Sequence, residues 1–175
     1  MSSVRFLSSS GVAKGRAFEQ VVLLYLLQNG FFLRSTGKAG DGGVDFRGTW
    51  NPNNSLNPIP VVGQCKALSE KVGVQVIREL EGTLCREEPG CLGVLVSEKG
   101  FSLVSRRSCY SSKFPIILVG FHPLLKGKIS EFWYNDLVRS VVPNLRIGFS
   151  FIKKDSNVIR IVHLIDSELR TSSHN

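Results

Sequence analysis

An aspartate and a Gln-Cys-Lys tripeptide are the residues of this chain whose types and spacing suit phosphate chemistry. Asp45 follows a glycine-rich turn at 40–43, and Gln64, Cys65 and Lys66 lie together in the next apolar run. Side chains two apart on a strand share a face, so Gln64 and Lys66 project together. Asp45, with the Gln64 amide or the Cys65 carbonyl, offers oxygen ligands to a hard cation such as Mg²⁺. Lys66 adds a fixed charge that can orient or help deprotonate an attacking water and stabilise a pentacovalent phosphate.

Each of these features has a simpler explanation when taken alone. A run of glycines is typical of a tight hairpin turn. Asp45 is then an exposed strand residue, and Lys66 is one of many surface lysines. The chemical interpretation therefore depends on the elements that would bring these side chains together.

Apolar periodicity predicts alternating helices and strands up to residue 121. The predicted elements are a helix from Lys14 to Gln28, a strand from Phe31 to Arg34, a strand around Asp45, a loop from Asn51 to Pro60, a strand around Gln64, a helix from Val74 to Arg86, a strand from Leu92 to Ser97, a helix from Phe101 to Ser111 and a strand from Pro115 to Phe121. This order predicts an α/β sandwich with a central mixed sheet flanked by helices, and a site at one edge of the sheet.

The pattern changes beyond residue 121. Lys126 to Val142 is typical of an amphipathic helix, in which Phe132 and Trp133 are better explained as core residues than as base-stacking ones. Two apolar runs, Ile147 to Ile152 and Val158 to Ile165, predict a hairpin. No repeat or second domain is evident, so residues 14–170 are expected to form one domain.

The order of several short motifs resembles the Mrr-like branch of the restriction-endonuclease-like, or PD-(D/E)xK, nuclease superfamily. The resemblance covers roughly residues 14 to 121, and within the superfamily the chain is most similar to fungal mitochondrial proteins named for being required for respiratory growth. The segments that carry it are Gly15-Arg16-Ala17-Phe18-Glu19, the turn before Asp45, Gln64-Cys65-Lys66, Val76 to Gly82, Gly93 to Ser97 and Gly100-Phe101-Ser102.

The resemblance implies a role for each of five residues. Asp45 would be the central metal ligand, Glu19 would support the metal or its water shell, and Lys66 would be the catalytic lysine. Gln64 stands at the last acidic position of the motif, where this branch commonly carries Gln, and its neutral amide should weaken cation binding. Asp41 in the turn would be auxiliary. An acidic residue in the first turn of a helix is also favoured by the helix dipole, which is the alternative explanation for Glu19.

Composition indicates a globular protein with a polyanionic partner. The 175 residues include 42% hydrophobic ones, and 22 basic against 14 acidic residues leave a formal net charge of +8. Such an excess suits phosphate contacts, which provide affinity more than sequence choice. Arg34, Lys38, Arg47 and Arg78 are the best candidates for nucleic-acid binding, because they lie on or beside the elements that carry the site.

Other classes of site find little support in the sequence. The four cysteines, Cys65, Cys85, Cys91 and Cys109, have neither the spacing of a zinc site nor the density of a disulfide scaffold, so we expect reduced and mostly buried thiols. The three histidines are far apart. The glycine turn leads into a strand, unlike a dinucleotide fingerprint, and no phosphate-binding Gly-x-x-x-x-Gly-Lys motif is present.

The first residues predict where the protein works. Residues 1–18 contain no acidic side chain and include the cluster Ser8-Ser9-Ser10, so residues 1–13 are expected to be a mitochondrial targeting segment or a disordered start. A eukaryotic source would make the protein mitochondrial, and a bacterial source would make it cytoplasmic. The longest apolar run, Val21 to Leu27, is shorter than the roughly twenty residues that span a bilayer, so a soluble protein with no membrane partner is expected.

The leading hypothesis is a Mg²⁺- or Mn²⁺-dependent endonuclease that hydrolyses phosphodiester bonds of DNA. Nothing resembles the separate DNA-reading module of larger Mrr-like enzymes, so selection by structure or strandedness is expected rather than by sequence. Two alternatives remain open. One is a nucleic-acid-binding module of the same fold with little or no catalysis, and the other is a nuclease acting on RNA. A homodimer that cuts both strands also remains open.

Overall fold

A single eight-stranded mixed sheet forms the centre of the protein. The computed structural model describes residues 11–36, 43–52, 57–121, 127–143, 145–154 and 157–165. The strands are β1 (Phe31–Ser35), β2 (Phe46–Trp50), β3 (Ile59–Lys66), β4 (Leu92–Ser97), β5 (Ile116–Phe121), β6 (Ile129–Tyr134), β7 (Arg146–Lys154) and β8 (Asn157–Ile165), and their order in the sheet is β1-β2-β3-β4-β5-β6-β8-β7. Strands β3, β4 and β5 are parallel, and every other pair is antiparallel.

Helices cover both faces of this sheet. They are α1 (Gly11–Leu27), α2 (Val74–Leu84), α3 (Leu103–Tyr110) and α4 (Asp136–Val141). One hydrophobic core, the α1-side core, contains Val22 and Leu26 of α1 with residues of most strands. A second, the α2–α3-side core, contains Ile77, Leu80 and Cys109. The predicted α/β sandwich with a mixed sheet flanked by helices is therefore confirmed.

The central parallel strands are formed by continuous apolar runs. All six residues of β4 and all six of β5 are buried, as expected for parallel strands that helices cover on both faces. Strand β3 is joined to β4 by α2 and runs parallel to it, so the carboxyl ends of both strands lie at the same end of the sheet. Gln64 and Lys66 occupy that end of β3.

A helix over residues 126–142 is the one predicted element that is wrong. Residues 129–134 form β6, which pairs antiparallel with β5, and only residues 136–141 are helical. Phe132 packs on the α1-side core and Trp133 on the α2–α3-side core, as alternating strand side chains do. Buried Asn135 separates the strand from α4: its Nδ2 donates to carbonyls of Cys109, Ser112 and Phe114, and its Oδ1 accepts from the Ile116 N–H.

The remaining elements follow the sequence with shifted ends. The predicted hairpin is β7–β8, and α1 begins at Gly11 rather than Lys14. The site was expected at one edge of the sheet. The structure differs, because none of the site residues lies on an edge strand. Asp45 directly precedes β2 and Gln64 lies in β3, the second and third strands of the sheet, whereas the outermost strands are β1 and β7. The crossover from β3 through α2 to β4 places β3 in the sheet interior.

The missing side chain of Gly63 leaves room for the Phe46 ring and the β4 backbone beside the site. A Cβ at Gly63 would lie 2.1 Å from Cζ of Phe46 and 2.5 Å from the Val94 carbonyl oxygen. We expect Gly63→Ala to lower the free energy of unfolding by about 1–3 kcal/mol, because backbone and ring must both move. Gly82→Ala is the matched control, since nothing lies within 4 Å of a Cβ there, and it should stabilise α2 by about 0.5–1 kcal/mol. Urea unfolding measures both, and effects of the same sign would contradict this packing.

Candidate functional site

Backbone hydrogen bonds to both neighbouring strands hold Asp45 in place. Its N–H donates to the Gly63 carbonyl at 2.9 Å, and its carbonyl accepts from the Thr36 N–H at 2.9 Å. Its side-chain Oδ2 accepts from the Cys65 N–H at 2.6 Å. The carboxylate is thus fixed against the end of β3, and Oδ1 forms no hydrogen bond with any residue that the structure describes. A carboxylate with one oxygen anchored and the other free is suited to bind a cation.

Gln64 is fully buried, and its amide has no hydrogen-bond partner among the described residues. Its exposed fraction is 0%, and neither Oε1 nor Nε2 is bonded. Nε2 would lie 3.3 Å from a Cβ at Gly43, whose φ of 79° is in the left-handed region, so a side chain at residue 43 would press against the amide. Leaving a buried polar group unbonded costs about 1–3 kcal/mol. A polar group or cation bound beside Gln64 would remove this cost.

Glu19 lies within electrostatic reach of Asp45. Partial burial raises the pKa of Glu19, the Asp45 carboxylate raises it further, and Arg16 lowers it. Because α1 begins at Gly11, Glu19 is two turns into the helix, and no acidic residue lies in the first turn. The helix-dipole effect is confined to the first turn, so the alternative explanation for Glu19 is wrong. The nearby Asp45 carboxylate instead disfavours the ionised form of Glu19, as a like charge does.

Burial also dominates the electrostatics of Asp45. It raises the pKa of this carboxyl group, while the Cys65 N–H and the Lys66 ammonium lower it. The pKa of the Cys65 thiol is raised, first by burial and then by Asp45 and Glu19, while Lys66 lowers it. Glu19, Asp45 and Lys66 therefore act on one sulfur atom. The structure brings these three predicted residues together around Cys65, with Gln64 beside it in β3.

Burial of Asp45 has a consequence for stability in the absence of metal. Its pKa in the folded state lies above its ordinary value, so the folded protein binds the proton more tightly than the unfolded chain. The resulting stabilisation is present below the ordinary carboxyl pKa and is lost as pH rises through the raised pKa. We expect metal-free protein to lose unfolding free energy over that range and Asp45→Asn to show a flatter profile. Urea unfolding against pH measures this, and parallel profiles would contradict it.

Lys66 faces a further carboxylate that the sequence analysis did not single out. Its Nζ lies 4.0 Å from Oε2 of Glu79 in α2, and the two side chains are 24% and 58% exposed. So long and exposed an ion pair contributes little to stability, and it leaves the ammonium able to turn towards a phosphate. Glu79 lies beside Lys66 because α2 packs back against β3 after the chain leaves that strand. A local sequence pattern therefore could not have predicted this contact.

The donor set fits a hard cation held by few protein ligands. Within the described ranges, no three His, Cys, Asp or Glu side chains lie close enough to hold a metal. Two carboxylates and one unbonded amide oxygen are nevertheless enough for Mg²⁺, which is usually bound by one or two carboxylates together with waters and phosphate oxygens. Glu19 and Asp45 offer the carboxylates and Gln64 the amide oxygen, and metal binding by these three residues stays a prediction. A contribution from the Cys65 carbonyl stays a prediction, since the contact seen at Cys65 is that of its N–H.

The predicted nucleic-acid-binding residues differ in their availability. Arg34 is exposed on β1, and Arg78 is exposed on α2. Arg47 lies opposite Arg34 in the β1–β2 register but forms a 2.7 Å salt bridge with Glu87, so part of its charge is already compensated. Lys38 and the auxiliary Asp41 lie outside the described residues. DNA binding by these side chains stays a prediction.

Among the residues that the structure describes, the remaining cysteines and histidines form no metal-binding cluster. All four cysteines are free; Cys91 and Cys109 are buried, which raises their thiol pKa values to about 11 and about 12. His163 is exposed and its Nε2 lies 2.7 Å from Oγ of Ser150. The other two histidines fall outside the described residues.

In the described part of the chain, no helix is long and apolar enough to cross a membrane.

Comparisons with known proteins identify the family of this chain. Residues 12–126 match the family model for the Mrr catalytic domain, described as a restriction endonuclease, and this span includes every residue of the site. A mitochondrial protein of Schizosaccharomyces pombe is 33% identical over 146 residues, which are 80% of this chain and 58% of that protein. The chain thus spans less than two thirds of the length of this relative.

One solved structure is also similar. It is the MspJI restriction endonuclease in complex with a 27-mer oligonucleotide, with a TM-score of 0.43 and 21% sequence identity, covering 69% of this chain and 33% of that one.

Proposed function

Because this chain belongs to the Mrr-type restriction endonuclease family, we propose that it is a metal-dependent endonuclease that hydrolyses phosphodiester bonds of DNA. The observation that carries the proposal is that the Cys65 N–H holds the Asp45 carboxylate, that Glu19, Asp45 and Lys66 all act electrostatically on the Cys65 thiol, and that the buried Gln64 amide beside it has no bonding partner among the described residues. Two carboxylates and a lysine beside the end of β3 suit the hydrolysis of phosphodiester bonds. The basic net charge of +8 favours a polyanionic substrate.

Asp45, Glu19 and Gln64 would hold Mg²⁺ or Mn²⁺ at this site. When bound, such an ion lowers the pKa of water and stabilises negative charge on phosphoryl oxygens. Asp45 is the pre-positioned ligand, because the Cys65 N–H fixes one of its two carboxylate oxygens. Glu19 would orient water on the α1 side. Gln64 would supply a neutral oxygen, so the site keeps fewer negative charges than one with three carboxylates and should bind the cation more weakly.

Lys66 would act on the reacting groups themselves. Its ammonium shares a strand face with Gln64 and is held only loosely by Glu79. It can therefore orient the attacking water in line with the leaving oxygen and stabilise the charge that develops on the phosphate in the transition state. The water oxygen would form the new bond to phosphorus while the bond to the leaving oxygen breaks. The water gives up one proton to solvent and the leaving oxygen takes one up, so the products are a phosphate monoester and an alcohol.

A cleavage assay on several DNA structures tests the proposal. Purified protein is incubated with labelled single-stranded, duplex and branched DNA, and with a matched RNA, in Mg²⁺, Mn²⁺ or EDTA. We expect cleavage of DNA that requires a divalent cation and depends on substrate structure more than on sequence. If the protein cleaves RNA and does not cleave DNA, it is a ribonuclease. Folded protein that cleaves nothing with either cation would overturn the proposal.

The neutral amide at Gln64 motivates one alternative function. The same fold would then serve as a nucleic-acid-binding module without catalysis. Binding that is independent of metal and unchanged in Asp45→Ala, with no cleavage of any substrate, would favour this alternative. Metal binding that Asp45→Ala abolishes would count against it.

We also propose that the protein works in mitochondria, where the name of its fission-yeast relative places that protein. The acid-free start of the sequence supports this location. A fluorescent fusion that stays outside mitochondria in a eukaryotic host would contradict it.

A further inference from the structure

The β7–β8 hairpin exposes two phenylalanines on one face. Phe149 and Phe151 are 57% and 67% exposed, and residues two apart on a strand share a face. Phe151 lies opposite Arg160 in the register, and the Arg160 guanidinium carbon lies 5.3 Å from the centroid of the Phe149 ring. Solvent-exposed aromatic pairs beside cations are uncommon on a surface that has no partner. This hairpin lies outside residues 12–126, the span shared with the family.

The hairpin is basic. Its basic residues are Arg146, Lys153, Lys154 and Arg160, whereas Asp155 is the single acidic residue in the sequence from 146 to 165. Strand β7 is also the last strand in the sheet order, and among described strands it pairs only with β8. The hairpin therefore combines a free strand edge, two exposed rings and positive charge.

The charge pattern decides which partner this surface fits. A second copy could extend the sheet by antiparallel pairing of β7 with itself, but pairing centred on Ser150 would place Arg146 opposite Lys154. Like charges directly opposite each other destabilise a sheet. A polyanion that carries flat apolar groups has the complementary chemistry, because bases stack on aromatic rings while phosphates pair with Lys and Arg.

We propose that the hairpin surface formed by Phe149, Phe151, Lys153 and Arg160 binds single-stranded DNA. Duplex DNA keeps its bases stacked inside, so only unpaired bases can lie on the two rings. The choice of DNA over RNA rests on the proposed function. The surface thereby gives the nuclease a preference for substrates with an unpaired strand.

The strand register places this surface at the same end of the sheet as the site. Phe149 is aligned with Val162, Val162 with Ile129, and Ile129 with Phe121 at the carboxyl end of β5. Lys66 is at the carboxyl end of β3, which is parallel to β5 through β4. Five strand intervals of about 4.8 Å separate β3 from β7, or roughly 24 Å. A DNA strand running along this end of the sheet would reach both places.

Fluorescence anisotropy of labelled oligonucleotides tests the surface without cleavage. The full chain is titrated in EDTA against single-stranded DNA, the duplex of the same sequence and a matched RNA. We expect the double variant Phe149→Ala/Phe151→Ala to bind single-stranded DNA at least about tenfold more weakly, since stacking on one ring changes affinity by that order. Duplex affinity should change by less than about twofold. Phe32→Ala is the matched control, because Phe32 is 61% exposed on β1 at the opposite edge of the sheet.

A second pair of substitutions separates stacking from general apolar contact. Phe149→Leu/Phe151→Leu keeps an apolar strand but removes both rings, and it should also weaken binding of single-stranded DNA while its thermal unfolding matches the wild type. Wild-type affinity in both double variants would overturn the proposal. Equal loss of single-stranded and duplex binding, or tighter binding of RNA than of DNA, would do the same.

Two further measurements keep this inference separate from the nuclease assignment. Sedimentation that shows a wild-type dimer, converted to a monomer by Phe149→Ala/Phe151→Ala, would overturn the proposal and assign the surface to a second copy. Selective loss of single-stranded binding in that variant, with no cleavage by the wild type in Mn²⁺, would support the surface while the nuclease proposal fails.

Discussion

Asp45→Asn is expected to lower the rate of DNA cleavage by about a thousandfold or more, since losing one fixed electrostatic contact at such a site already costs about a hundred- to a thousandfold. The substitution is nearly isosteric, and the Asn carbonyl oxygen can still accept the Cys65 N–H, so the fold should persist. What it removes is the negative charge of the best-positioned cation ligand. Single-turnover cleavage of labelled DNA in Mn²⁺, with protein in excess, measures the chemical step.

Lys66→Ala should cause a loss of similar size for a different reason. It removes the cation that would stabilise the phosphate in the transition state while leaving the carboxylates in place. Mn²⁺ binding should therefore survive in Lys66→Ala and fall in Asp45→Asn, which separates the two roles.

Matched surface changes serve as controls for these two variants. Asp136→Asn on α4 and Lys113→Ala before β5 change exposed residues away from the carboxyl end of β3, and each should cleave within about twofold of the wild type. Cleavage by Asp45→Asn at the wild-type rate, in protein of unchanged thermal stability, would show that the assigned site is wrong.

Substitutions at Gln64 should move stability and metal affinity in opposite directions. Gln64→Met is unbranched and similar in length, and it replaces a buried amide that has no partner among described residues with an apolar group. We expect the metal-free variant to gain about 1 kcal/mol or more of unfolding free energy. If the amide oxygen is a ligand, the Mn²⁺ affinity of this variant should fall by about tenfold or more. Changing groups that support a metal site typically lowers metal affinity by about that factor.

Gln64→Glu is the counterpart with the opposite expectation. A carboxylate at this fully buried position should destabilise the metal-free protein, because burial disfavours a charged group. The same charge should tighten Mn²⁺ binding and increase the thermal stabilisation that Mn²⁺ produces. Calorimetric titration and thermal unfolding with and without Mn²⁺ measure both effects. Equal Mn²⁺ affinity in the Met, Glu and wild-type proteins would show that Gln64 is not a ligand.

The restriction-endonuclease-like fold of this chain was largely readable from its sequence. Continuous apolar runs identify β4 and β5 because parallel strands covered on both faces need no polar residues. The alternation of helices and strands indicates the sandwich, and the segments around Glu19, Asp45 and Lys66 indicate the family. The helix predicted over residues 126–142 failed because antiparallel pairing with β5 overrides local periodicity in β6.

The sequence by itself thus determined which residues are available for chemistry: two carboxylates, an amide and a lysine in a fixed order. Only the tertiary structure decided that Glu19 reaches Asp45, that the Gln64 amide is buried without a described partner, and that Glu79 returns beside Lys66. Likewise, an aromatic strand can be read from residues 146–154, but its place at the open edge of the sheet cannot. Spacing along a chain sets local geometry, whereas strand order, helix crossover and burial arise from contacts between residues far apart in sequence.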